Sequence, residues 1–258
     1  MVVLRKIDFE TGDLSQIGAG DVYSHHPDDI PVVVQDIVHA GKYALRCAVA
    51  NLSPSRRSSV VRLWNIPLKP VLHYDFWLFI PYGYEVPYDH NTMMICEWYP
   101  QNEVGADEFI ALYFNDASGV KNNISLRFNN NTGNFALLGI WPIFSGVEMP
   151  TRRWVHFQIS YRHDLINGEV QVKMDGKIIM DYKGRTAFDN SPDFTQFAFG
   201  TYFWIEEAPL INAAAFYYDD IYIADEPNAQ YQQPAPIPLW KAALAWTLGL
   251  GGAFAVTR

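Results

Sequence analysis

Short runs of β-branched and aromatic residues, separated by clusters of Gly, Pro, Asn and Asp, fill most of this chain. That punctuation is what antiparallel strands joined by tight turns require. The runs Ile30–Val38, Tyr74–Ile80, Thr92–Tyr99, Phe109–Asn115, Ile124–Phe128, Trp154–Tyr161 and Phe216–Ala224 are predicted strands, and no stretch between Met1 and Asp225 keeps a helical period. The clearest hairpin runs from Glu169 to Tyr182: Val170, Val172 and Met174 alternate into Asp175-Gly176, and Ile178 and Met180 alternate out. Asp-Gly suits a type I′ turn, whose twist matches that of paired strands. Along Thr92–Tyr99, strict alternation puts Glu97 with Met93 and Ile95 on one face, and Met94, Cys96 and Trp98 on the other. A lone buried carboxylate is costly, so the Glu97 face is expected to line a groove.

Many short antiparallel strands with regular turn signals predict an all-β fold over residues 1–225, a sandwich, a barrel or a β-jelly-roll. A length of 258 residues fits one such domain. Residues 226–238, rich in Pro and Gln, read as an extended linker, and 239–258 as an apolar C-terminal tail with a possible helix. In the tail, Ala242 to Thr257 carry no charge. They would span about 24 Å as a helix, short of the ~30 Å hydrocarbon core, with Lys241 and Arg258 able to snorkel and Trp240 able to sit at the interface. Membrane association through 239–258 and docking of the tail on the domain both stay open.

Composition narrows the function. With 49% hydrophobic and 15% aromatic residues the chain can fill a large core, and a formal charge of −9 without a basic run excludes nucleic acid as a partner. Cys47 and Cys96 lie in apolar runs with no CxxC partner and are expected in the core. Trp64, Trp77 and Trp154 are expected there too. The segment MVVLRKIDFETG lacks the apolar h-region of a secretory signal, so either the chain is not exported by that route or a leader has been removed; the expected location is extracellular or at the cell surface.

Four segments, in order, carry a resemblance: Ile7-Asp8-Phe9-Glu10-Thr11-Gly12-Asp13-Leu14; Ala40-Gly41-Lys42-Tyr43-Ala44-Leu45; Arg153-Trp154-Val155-His156-Phe157 with the later Met174-Asp175-Gly176-Lys177; and Tyr217-Tyr218-Asp219-Asp220-Ile221-Tyr222-Ile223. Over about residues 5 to 225 the chain resembles the concanavalin A-like jelly rolls that include alginate, glucuronan and heparin I type polysaccharide lyases and appended carbohydrate-binding modules. The resemblance implies that the opening and closing strands lie together and hold a structural calcium. Its ligands would be Glu10, the Gly41 and Lys42 backbone, and Asp220; calcium takes several oxygen ligands. The competing reading of Asp219-Asp220 is a pair of surface carboxylates.

The same resemblance implies a polysaccharide partner and a catalytic strand set. The related lyases use an early Arg, a Gln-x-His strand and a late Tyr. Here Arg62 is the counterpart of the Arg, Glu97-Trp98-Tyr99 stand for Gln-x-His, and Tyr202 in Phe199-Gly200-Thr201-Tyr202 stands for the general acid. Two departures bear on activity. An ionised Glu97 would repel a uronate carboxylate, and Tyr99 would serve as base only with a strongly depressed pKa, since free Tyr titrates near ~10. Hydrolysis would need two facing carboxylates, with Glu97, Glu206 and Glu108 as candidates. Binding accounts for the aromatic residues more simply: sugars stack on Trp and Tyr, which points to Glu97, Trp98, Tyr99, Tyr113, Tyr202 and Trp204 as a glycan-binding set. The expectation is a non-catalytic, surface-displayed glycan-binding jelly roll, with a polysaccharide lyase and a structural surface or virion protein as the alternatives.

Overall fold

A computed structural model describes residues 2–18, 20–24, 26–49, 57–82, 91–100, 109–117, 119–129, 143–187, 194–205 and 214–227. Two sheets stack face to face. One runs in the order β13 (Lys177–Gly184), β12 (Gly168–Met174), β11 (Trp154–Arg162), β6 (Leu72–Phe79), β15 (Ala214–Ala224), β4 (Ala44–Val49), β3 (Val32–Val34), with β1 (Val3–Ile7) also pairing with β15. The other runs β10 (Ile143–Glu148), β9 (Val120–Asn129), β8 (Phe109–Ala117), β7 (Asn91–Pro100), β14 (Phe194–Ile205), β5 (Arg57–Pro67), β2 (Gly20–Ser24). The jelly-roll sandwich expected from the sequence is the fold. No helix among the described residues is long and apolar enough to cross a membrane, and the linker beyond Pro227 and the 239–258 tail lie outside the described residues.

The first and last strands do meet. Ala214–Tyr218 of β15 pair with β4, while Ile221–Ala224 pair with β1, the two partners sharing one edge of β15 end to end. A bulge at Asp219–Asp220, with Asp220 at φ 50°, separates the two halves. The β12–β13 hairpin turns at Asp175-Gly176 with φ of 50° and 78°, as a type I′ turn needs. A bulge breaks the expected alternation on its return strand: Lys173 faces Ile178 and Val172 faces Met180, so Met180 is buried while Ile178 points outward, 56% exposed.

The core lies between the sheets and is strongly aromatic. Tyr74, Phe76 and Tyr218 of one sheet meet Trp98, Phe197 and Phe199 of the other, with Tyr74 and Phe197 centroids 4.7 Å apart and Phe199 and Tyr218 5.3 Å apart. Each such ring contributes roughly 1.5–3 kcal/mol by leaving water. Cys47 and Cys96 are free thiols in this core, both pushed upward in pKa by burial. The tryptophans divide differently from expectation. Trp64 and Trp154 are half-buried, and Trp77 is buried on the outer face of the eight-stranded sheet and not between the sheets.

Two bulges decide which side chains reach the outer face of the seven-stranded sheet. In β7 the pairing with β8 slips between Met94 and Cys96, so Met93, Ile95, Cys96 and Trp98 all face the core while Met94 and Glu97 face outward. In β14 the pairing with β7 slips between Phe199 and Tyr202. The backbone carbonyls at these slips are turned inward and need donors. Tyr218 Oη, from the opposite sheet, lies 2.7 Å from Ile95 O and 3.1 Å from Gly200 O. Thr201 Oγ1 donates to Cys47 O at 2.8 Å. Gly200 sits at φ 144°, where a Cβ would collide with the Ser59 carbonyl oxygen.

Candidate functional site

Directly opposed residues of an antiparallel pair share a face, so the registers define rows across the seven-stranded sheet. One outer row reads Arg127, Ala111, Glu97, Ala198, Arg62, Asp21, from β9 to β2. A second row, two residues away on β9 and β8 but four away on β14 and β5, reads Ser125, Tyr113, Met94, Tyr202, Ser58. Ala111 and Ala198 flank Glu97 with methyl groups only, which leaves a low floor between the two arginines. Beneath it Val60, Met94, Ala111, Tyr113 and Ala198 form a small apolar layer on which Tyr23 and Tyr202 pack.

Both arginines lean from the first row toward the second. The Arg62 guanidinium lies 4.0 Å from the centroid of Tyr23, which is paired with Val60, and its Nε is buried without a hydrogen-bond partner among the described residues. The Arg127 guanidinium lies 5.7 Å from the centroid of Tyr113. Tyr202, half-buried, stands on β14 between these two Arg–Tyr pairs. The Tyr113 phenol is held well above the usual tyrosine range by burial first, then by the charge of Glu97, with Arg127 pulling it back. It stays a neutral hydroxyl. Glu97 itself is 6% exposed.

The expected site residues fall into three groups. Tyr202, Arg62, Glu97 and Tyr113 do share the outer face. Tyr99 pairs with Gln196 and Trp204 with Thr92, but their side chains lie outside what is described, as do Glu206, Glu108 and His90. Trp98 is the correction: at 2% exposure it packs in the core against Tyr74 and Phe197, on the face opposite Glu97 to which strand alternation itself assigns it, and it cannot stack on a glycan in the groove. The bulge at Ile95 separates Glu97 from Met93 and Ile95 and puts it with Met94. Sequence reasoning missed Arg127 and Tyr23, which reach this face only through the β8–β9 and β2–β5 registers.

The calcium expectation is also redrawn. Glu10 Oε1 accepts from the backbone N–H groups of Lys42 and Tyr43 at 2.8 and 3.1 Å, so Glu10 and the Gly41–Lys42 loop engage each other through N–H donors. Asp220 Oδ2 lies 2.9 Å from His39 Nδ1. The side chains that converge, their ligand atoms within 4.8 Å of one another, are His39, Asp219 and Asp220, a set that leaves Glu10 out. One imidazole with two carboxylates is a softer set than the oxygen shell of calcium, and the N–H groups of His39 and Ala40 point at Asp219 Oδ2. These residues do not fit calcium as the resemblance arranges it. Burial, then the charge of Asp220, pushes the Asp219 carboxyl up to about 8.

A shallow hollow of about 310 Å³ lies on the other sheet, lined among others by His73, Ser160, Arg162, Glu169 and Gln171. It carries no tyrosine or tryptophan platform; Arg162 is paired with Glu169 at 3.8 Å, His73 Nδ1 meets Ser160 Oγ at 2.9 Å, and Asp181 and Lys183 also line it. The arginines set on tyrosine rings on the seven-stranded sheet make that face the candidate site.

Comparison with known proteins agrees on the architecture. No protein-family model and no curated protein matches the chain. Among solved structures it is similar to an endo-β-1,4-glucuronan lyase from the fungus Trichoderma reesei, with a TM-score of 0.61 at 15% identity over 86% of this chain and 95% of that one. An alginate lyase from a Chlorella virus gives a TM-score of 0.60 at 14% identity over 86% and 99%. The catalytic domain of a glycoside hydrolase family 131 protein from Coprinopsis cinerea gives 0.54 at 12% identity over 88% and 96%. The chain has the concanavalin A-like jelly-roll fold found in polysaccharide lyases.

Proposed function

We propose that this protein is a polysaccharide lyase that cleaves a uronate-bearing glycan by β-elimination on the outer face of its seven-stranded sheet. The observation that carries the reading is that Tyr202 and Arg62 share this outer face on adjacent strands, Tyr202 and Tyr23 packing on one apolar layer and the Arg62 guanidinium lying over Tyr23 with no ion pair among the described residues. The likeness to glucuronan and alginate lyases supports it. Arg62 supplies charge to a substrate carboxylate through a rigid fork of N–H donors, which stabilises the negative charge that builds up as the C5 proton leaves. Of the described side chains of this face, Tyr202 is the one to which we assign both proton steps. As phenolate, a state that requires the cations of this face to lower a phenol that titrates near ~10 when free, it accepts the C5 proton; the C–H electron pair forms the C4–C5 double bond, the C4–O4 bond breaks, and the same hydroxyl returns the proton to O4.

Glu97 favours a second reading, a non-catalytic binder of neutral glycans. A carboxylate where the related lyases have an amide repels uronates and accepts hydrogen bonds from sugar hydroxyls. Incubation with polyglucuronate, alginate and heparin, watching absorbance for the unsaturated product, separates the two. The lyase reading expects product, and a loss of at least about 10²-fold in Tyr202→Phe at unchanged melting temperature. Absence of product from every uronan, with measurable binding to a neutral β-glucan, would give the site to the second reading.

A further inference from the structure

The bulge in β15 turns two consecutive carboxylates toward one loop. Asp219 and Asp220 interrupt the pairing of β15 with β6, and Asp220 takes a φ of 50° there. His39 reaches them from the connection between β3 and β4. One ligand atom from each of the three residues lies within 4.8 Å of the others, and His39 Nδ1 is 2.9 Å from Asp220 Oδ2. Ligands placed ~2.0–2.2 Å from a tetrahedral zinc ion stand about 3.3–3.6 Å from one another. The observed distances bracket that spacing, so small side-chain rotations seat an ion among them.

The surroundings hold the set in place. Trp77 stacks on the His39 ring at 3.8 Å, and Trp154 meets it edge-on at 5.5 Å. The N–H groups of His39 and Ala40 point at Asp219 Oδ2, and that of Asp220 at Asp219 Oδ1. An ionised carboxylate offers about four lone-pair sites, so these contacts orient Asp219 and leave it able to take a cation, as the outer-shell partners of metal ligands do. The charge of Asp220 adds to burial in lifting the Asp219 carboxyl, and a divalent ion between the two offsets that repulsion. Asp219 is 1% exposed while the Asp220 side chain keeps 16%, which lets water complete the coordination.

We infer that His39, Asp219 and Asp220 form a structural site for a first-row divalent cation such as zinc, selected over calcium by the imidazole. It shares only Asp220 with the calcium arrangement that the resemblance implies. Glu10 takes no part, because its Oε1 is held by the N–H groups of Lys42 and Tyr43. The ion ties the β3–β4 connection to the last strand, and the site stands whether or not the outer face of the other sheet binds glycan.

The test starts from the full chain dialysed against EDTA and titrated with zinc or, separately, with calcium, reading bound metal per folded molecule and the melting temperature. A single equivalent of zinc is expected, with a raised melting temperature because the ion binds the folded state, and millimolar calcium should change neither reading. His39→Gln is expected to weaken zinc binding at least about tenfold. Asp219→Asn, which keeps an acceptor for the loop N–H groups, should do the same, so that if one variant fails to fold the other decides. Glu10→Gln should bind zinc as the wild type does. Failure to take up zinc overturns the site, as does zinc binding that survives His39→Gln and Asp219→Asn. Stabilisation by calcium that depends on Glu10 and not on His39 would return the loop to the arrangement that the resemblance implies and overturn it equally.

Discussion

On the outer face of the eight-stranded sheet, polar groups are closed on one another. His39, Trp77 and His156 stack with centroids 3.8 and 4.5 Å apart, Asp220 meets His39 at one end, and His156 Nε2 lies 2.5 Å from Asp75 Oδ1 at the other. All of these but Asp220 and His39 are under 9% exposed as whole residues, and the His39 side chain is 4% exposed. On the outer face of the seven-stranded sheet the arginines rest on rings, and Tyr202 is half-open beside them. The same architecture thus uses its two outer faces differently. A buried charge with its partner in place contributes to structure. A cation presented on a platform, with no ion-pair partner among the described residues, is available to a ligand.

The contrast can be broken first at Asp75. Asp75→Ala removes the carboxylate that meets His156 Nε2 and the acceptor of Gln158 Nε2, 3.4 Å away. A loss of about 2–4 kcal/mol in chemical denaturation is expected, with glycan binding per folded molecule unchanged. If binding fell instead while stability held, the two faces would have exchanged roles. Arg62→Ala should do the reverse: binding of uronates weakened roughly tenfold, and stability changed by less than about 1 kcal/mol.

Tyr218 joins the two faces and sharpens the comparison. Its hydroxyl is the donor that the inward carbonyls of Ile95 and Gly200 find across the core. Tyr218→Phe leaves two buried carbonyls short of a donor, at a cost of about 1–3 kcal/mol. It should also blur the slips that aim Glu97 and Tyr202 outward, so that activity per folded molecule drops. A variant that lost stability alone would show that the slips are held by the strands themselves.

Much of this fold was legible in the sequence. The Asp175-Gly176 turn, the β1–β15 meeting and the core cysteines follow from turn chemistry, order of motifs and local hydrophobicity. The site was legible only where those signals are local. Trp98 was placed in the binding set for its aromatic ring although alternation put it opposite Glu97, and the partners of Glu97 were misassigned because one extra residue, Ile95, shifts the phase of the strand, which composition does not mark. Arg127 and Tyr23 were invisible because they join the groove through registers between distant segments. His39, Trp77 and His156 form one stack although they come from a loop and two separate strands.

The smallest expected effect concerns acid. Burial pushes the imidazoles of His73 and His163 below their ordinary range, opposed at His73 by Asp225 and Glu226 and at His163 by Asp164. In the unfolded chain both titrate near ~6.5, so below that pH the unfolded state binds protons that the folded state refuses, and stability falls with them. The contribution is fully present above the unfolded value and is lost as pH drops through the folded one. Both residues belong to the eight-stranded side, where His73 lies in β6 and His163 follows β11. Thermal melts between neutral and mildly acidic pH should therefore show a gentle decline that His73→Gln together with His163→Gln flattens. Uronate binding by the arginine groove should keep its pH dependence in that double variant. A decline unaltered by the two substitutions would assign the acid sensitivity to other groups.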